Sequence, residues 1–136
     1  MIRAIRLIGD DLFHMAHILL IEDHASYRDM LRDSLEDRGH TVVEAADGEA
    51  GLTCYRAEKF DVVITDIIMP GKDGVETIIG LRQLDAGARI IAISGGGQMI
   101  PTMTCVQIAR SLGVKQVLEK PFTSETLEAC IVAELA

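Results

Sequence analysis

From residue 17 onward, short apolar runs alternate with longer segments in which apolar residues recur every three or four positions. The first run, HILLI at 17–21, predicts a buried strand and leads directly into Glu22-Asp23. A helix is predicted over 26–38, with Tyr27, Met30, Leu31 and Leu35 at helical spacing and Gly39 placed to stop it. TVVEA at 41–45 reads as a second strand. Asp47-Gly48 then caps a helix through Arg56, built on Ala50, Leu52 and Tyr55 and weakened somewhat by Gly51. Val62-Val63-Ile64 forms the third run and ends at Thr65-Asp66, with turn chemistry at Pro70-Gly71 and Asp73-Gly74. A helix over 75–84, a strand over 89–93 ending at Ser94, and a helix over 101–112 stopped by Gly113 follow. The last pair is a strand at 115–119, terminating at Lys120-Pro121, and a helix at 123–135 with Thr123 or Ser124 as N-cap.

Five strands alternating with five helices imply one three-layer α/β domain, a parallel sheet covered on both faces. Residues 1–16 match nothing that follows, and Met15 would itself serve as a start. That piece reads as an extended start, an expression remnant or the tail of another domain.

At 136 residues the chain is long enough for one domain with a substantial core. A formal charge of −8 argues against direct nucleic-acid binding, which needs a basic face. No apolar run approaches the ~20 residues of a membrane span, and no signal peptide is visible. A soluble, cytoplasmic protein without a membrane partner is therefore expected. Cys54, Cys105 and Cys130 fit neither a zinc site nor a redox pair, and each falls in a helical segment, as reduced packing thiols do.

The carboxyl ends of parallel strands share one edge, where α/β sheets place their ligands. Strand by strand they deliver Glu22 and Asp23, Asp66, Ser94 and Lys120. Singly, an acid there is a turn or cap residue, a lysine a solvated charge and a serine a cap. Together, three carboxylates need compensation, which a hard cation such as Mg²⁺ supplies through oxygen ligands. A lysine and a hydroxyl beside them suit a transferred phosphoryl group.

The motifs ILLIED, VVITDIIMPGKDG, IIAIS and VLEKPF resemble those of bacterial two-component response-regulator receiver domains, over roughly residues 16–136. The resemblance implies a flavodoxin-like (βα)5 fold with strand order 2-1-3-4-5, a receiver domain at 16–136 and an N-terminal extension of unknown role at 1–15. Asp66 matches the phospho-acceptor, Asp23 the direct Mg²⁺ ligand, Glu22 its acidic neighbour, and the Ile68 backbone carbonyl a further ligand. Ser94 matches the switch hydroxyl and Lys120 the phosphate-binding lysine, with a cis Lys120-Pro121 bond. The implied partners are a histidine kinase or histidine phosphotransfer protein and a downstream target. A target or a second copy would dock on the surface of the fourth helix, fifth strand and fifth helix. There Leu127, Ile131 and Leu135 should face the sheet, leaving Ala129, Val132, Ala133 and Ala136 outward.

Two departures stand out: Val117 occupies a position usually aromatic in the family, and the loop at 94–97 is glycine-rich. The chain stops after the fifth helix, favouring a stand-alone receiver that accepts a phosphoryl group rather than a conventional enzyme. Two rival readings are a receiver-like module acting without phosphorylation and an aspartate-nucleophile phosphatase. The phosphatase reading lacks its second acid, because Ile67-Ile68 follows Asp66. Neither GxxxxGK(S/T) nor GxGxxG is present for a nucleotide.

Overall fold

Apolar strands can be buried on both faces only when helices cover both sides of their sheet. The structure, a computed structural model describing residues 4–8, 11–67, 74–95 and 100–136, is built that way. Two strands, β1 (Ala4–Ile8) and β2 (Asp11–Met15), come first. The alternating units follow: β3 (His17–Ile21), α1 (Ala25–Asp37), β4 (Thr41–Ala45), α2 (Gly48–Ala57), β5 (Val62–Asp66) and α3 (Gly74–Leu84). They continue as β6 (Ile90–Ser94), α4 (Ile100–Ser111), β7 (Gln116–Glu119) and α5 (Ser124–Leu135). The main sheet has the order β4-β3-β5-β6-β7, all parallel. Counted from His17, this is the flavodoxin-like order 2-1-3-4-5.

The central strands β5 and β6 are buried at every residue. Alternate side chains feed two cores. Ile18, Leu20, Ile64, Ile91 and Ile93 pack with Leu31 and Leu35 of α1 and with Leu127, Ile131 and Leu135 of α5. Leu19, Ile21, Val63, Ile90 and Ala92 pack with Leu52 of α2, Ile78 and Leu81 of α3, and Ala109 of α4. On α5 the expected faces are found, with Ala129, Val132, Ala133 and Ala136 exposed.

Local chemistry sets the ends. Asp47 Oδ1 accepts from the Ala50 N–H at 2.8 Å, and Thr123 Oγ1 from the Thr126 N–H at 3.1 Å, the caps of α2 and α5. Gly39 and Gly113 take φ of 95° and 88°, left-handed values that end α1 and α4 at little steric cost. Cys54 and Cys130 are free thiols.

Three features differ from the sequence reading. Element bounds shift by about a residue, as α1 begins at Ala25 and β6 includes Ser94. Met30 is 53% exposed, because the sheet-facing stripe of α1 runs Tyr27, Leu31, Leu35 and Met30 lies about 100° off it. The third is at the N-terminus, where β1 and β2 pair antiparallel, with Ile8 opposite Asp11. The signal for that hairpin was the Gly9-Asp10 pair separating the two short runs, a two-residue spacing typical of hairpins. The turn at Pro70-Gly71, the Ile68 carbonyl, Asp73, Gly96 and Gly97 lie outside the described residues.

The joint between β5 and α3 is tight. The Gly74 N–H donates to Ile67 O at 2.7 Å, and a Cβ on Gly74 would overlap backbone atoms of Asp66 and Ile67. Gly74→Ala should therefore lower stability by about 2 kcal/mol despite its better helix propensity, because backbone cannot yield as a side-chain tip can. Urea unfolding monitored by circular dichroism checks this.

Candidate functional site

Strand register decides which residues meet. Ile21 lies beside Thr65, Asp66 beside Ile93, and Ser94 beside Glu119. Glu22-Asp23, Asp66, Ser94 and Lys120 thus emerge along one edge of the sheet. Ligand oxygens of Glu22, Asp23 and Asp66 lie within 4.8 Å of one another, with Asp23 exposed and the other two buried.

Glu22 is fixed by its backbone as much as by its side chain. Its N–H donates to Ala45 O at 3.0 Å, and its carbonyl accepts from Arg28 Nη1 at 2.7 Å. Carboxylate Oε2 accepts from the His24 N–H at 3.0 Å, whereas Oε1 is buried and has no hydrogen-bond partner among the described residues. Burial pushes the Glu22 carboxyl up to about 7; the Asp66 charge adds to the shift, and the His24 N–H and Lys120 oppose it. Arg28 is steadied in turn, its Nε 3.5 Å from Glu44 Oε1, while Arg32 Nη1 donates to Glu44 Oε2 at 3.0 Å.

Lys120 supplies the opposing charge. Its Nζ lies 3.2 Å from Asp66 Oδ2 and 3.8 Å from Glu22 Oε1. The ammonium also sits over the Tyr27 ring, 4.2 Å from the centroid. Burial, with the charges of Glu22 and Asp66, pushes the Tyr27 hydroxyl up to about 12. The Lys120-Pro121 peptide is cis, as the family resemblance implied. The Lys120 N–H donates to Ser94 O at 2.9 Å, tying β7 to β6 at the site.

Ser94 shares the edge but not the face. Its strand parity is that of Ile90 and Ala92, toward the core under α2, α3 and α4, whereas Ile64 and Leu118 place Asp66 and Lys120 on the α1–α5 side. Its hydroxyl is fully buried, with no hydrogen-bond partner among the described residues. Such an orphaned donor costs roughly 1–3 kcal/mol unless a ligand oxygen reaches it.

The donor set fits a hard divalent cation. It is all oxygen, it offers two buried carboxyl groups and an exposed one, and Glu22 Oε1 has no hydrogen-bond donor among the described residues. Sequence reasoning missed two neighbours of this cluster. Tyr27 and Arg28 stand four and five residues after Asp23, one helical turn on, which is the signal that could have found them.

The response regulator receiver domain family matches residues 18–132, and the chain belongs to that family. Among curated relatives, the chemotaxis protein CheY of Bacillus subtilis (strain 168) is 38% identical over 118 residues, covering 85% of this chain and 95% of its own. The probable transcriptional regulator ycf27 of Guillardia theta is 35% identical over 130 residues. That alignment takes in 96% of this chain, which spans about half (49%) of the relative's length. Among solved structures, a response regulator receiver domain protein from Clostridium thermocellum superposes with a TM-score of 0.82 at 26% identity, covering 89% and 94% of the two chains. Chemotaxis protein CheY4 of Vibrio cholerae gives 0.78 at 31% identity, covering 89% and 99%. The chain is thus a receiver domain of the two-component response-regulator type. No helix among the described residues is long and apolar enough to cross a membrane.

Arg28→Met removes a charged donor from the Glu22 carbonyl and a partner from Glu44. Stability should fall by about 1–2 kcal/mol, read as a lower urea midpoint at unchanged m-value.

Proposed function

We propose that this protein is the phospho-accepting receiver of a two-component signalling system, acting in the cytoplasm, with Asp66 as the acceptor. The observation that carries the reading is the Lys120 ammonium 3.2 Å from Asp66 Oδ2, beside the acidic pair Glu22 and Asp23. A carboxylate oxygen of Asp66 attacks the phosphorus of a phosphohistidine on a kinase or phosphotransfer protein. The new O–P bond forms as the N–P bond breaks, and the imidazole leaves with that electron pair. Lys120 offsets charge on the transferring oxygens, and the exposed side of the edge admits the donor. Glu22, Asp23 and Asp66 would hold a Mg²⁺ ion, with the Ile68 carbonyl as an expected fourth ligand, and the ion would supply charge neutralisation and orientation.

The acyl phosphate adds negative charge and acceptor oxygens to an edge that held a carboxylate. Lys120 then pairs with phosphoryl oxygen, and the buried Ser94 hydroxyl gains the acceptor it lacks. Drawing Ser94 toward the α1–α5 side of the edge shifts the chain leading to α4, and the α4–β7–α5 surface reads out the change to a target or a second copy. Val117 on β7 has no aromatic ring to rotate, so movement of the backbone after Ser94 carries the signal. Lys120 and Ser94 are the two residues that sense the phosphoryl group.

Incubation with acetyl phosphate and Mg²⁺ should add one phosphoryl group by intact-mass spectrometry, and Asp66→Asn or chelation should abolish it. Labelling of the Asp66→Asn protein to the parental extent would sink the assignment and favour an acceptor elsewhere.

Mg²⁺ alone should stabilise the unphosphorylated protein, by about 1.4 kcal/mol at ten times its dissociation constant. Asp23→Asn should remove most of that gain without lowering stability in EDTA, as measured by thermal melts at fixed ionic strength.

A further inference from the structure

Lysine is a flexible side chain with a compact charge, and two carboxylates alone do not define where that charge rests. In this site the ammonium has a third neighbour of another kind. Lys120 Nζ is 3.2 Å from Asp66 Oδ2, 3.8 Å from Glu22 Oε1 and 4.2 Å from the Tyr27 ring centroid. The ring belongs to α1, in the stripe Tyr27, Leu31, Leu35 that packs on the sheet, so it is anchored by the core rather than free in solvent. Its face attracts a cation through the quadrupole, at a distance well inside the effective range of about 6 Å. It also excludes water from one side of the ammonium, which strengthens the pairing on the other side.

The chemistry of the support matters as much as its place. A carboxylate on α1 at this point would pair with Lys120 and draw it from Asp66, adding a fourth acid to a crowded site. An aliphatic residue would fill the space without holding the charge. An aromatic face attracts the ammonium without competing for its hydrogen bonds, which remain directed at the acids.

We infer that Tyr27 is a positioning residue for Lys120, its ring face holding the ammonium toward Asp66. The effect on phosphoryl transfer rests on the function proposed above; the positioning itself does not. Tyr27 keeps the lysine at the reacting carboxylate before a donor arrives, so it acts on loading of Asp66 only through Lys120.

Two measurements separate this role from simple packing. In the unphosphorylated protein, modification of Lys120 by acetic anhydride is followed by peptide mass spectrometry, with Lys59 and Lys115 as internal standards. Its rate should rise roughly two- to five-fold in Tyr27→Leu and stay at the parental level in Tyr27→Phe, which keeps the ring. Tyr27→Met serves as a second apolar replacement should Leu disturb α1. Loading from acetyl phosphate should slow by a similar factor in Tyr27→Leu, and by no further factor when the same change is made in a Lys120→Met background. Equal Lys120 reactivity in the Leu, Met and Phe variants overturns the inference, as does equal slowing in both backgrounds. A parental protein that takes no phosphoryl group overturns the proposed function instead, and the acetylation result still decides the role of Tyr27.

Discussion

The carboxyl groups of Glu22 and Asp66 are both nearly sealed from water, side by side at the end of a parallel sheet. Like charges at close range in a poorly polarisable setting repel strongly, and each also loses hydration. The local architecture is organised to tolerate that. Lys120 places its ammonium against both acids, the His24 N–H meets one carboxylate oxygen, and Arg28 grips the Glu22 carbonyl. Burial still pushes the Glu22 carboxyl up, and its Oε1 has no hydrogen-bond partner among the described residues.

Two supports keep this tension from distorting the fold. Behind the acids lies the continuous burial of β5 and β6, whose residues reach both cores. Beside them, α3 starts so close to β5 that only glycine fits at position 74. The described backbone beneath the acids is closely packed on both faces.

Ser94 ends β6 and Lys120 follows β7 directly; a backbone hydrogen bond joins them, yet they lie on opposite faces by parity. One face carries α1 and α5, the other α2, α3 and α4. A group bonded to both residues would span the sheet edge and couple the two helical layers.

The sequence by itself determined the elements and the edge. Buried strands declare themselves through short β-branched runs, helices through their spacing, and caps through Asp47 and Thr123, because these signals are local to a few residues. The acids, the hydroxyl and the lysine were legible for the same reason, each standing at or just past the carboxyl end of a strand. Strand order came from family resemblance, since no run names its neighbour. Only the tertiary structure decided that Tyr27 faces the lysine while Met30 faces solvent, because helical spacing alone leaves both within an apolar sector. It alone showed Arg28 tied to Glu22 and Glu44, and Ser94 across the edge from Asp66. Those relations depend on register and on the packing of α1 against the sheet, where a single step of strand or about 100° of helix reverses which side chains meet.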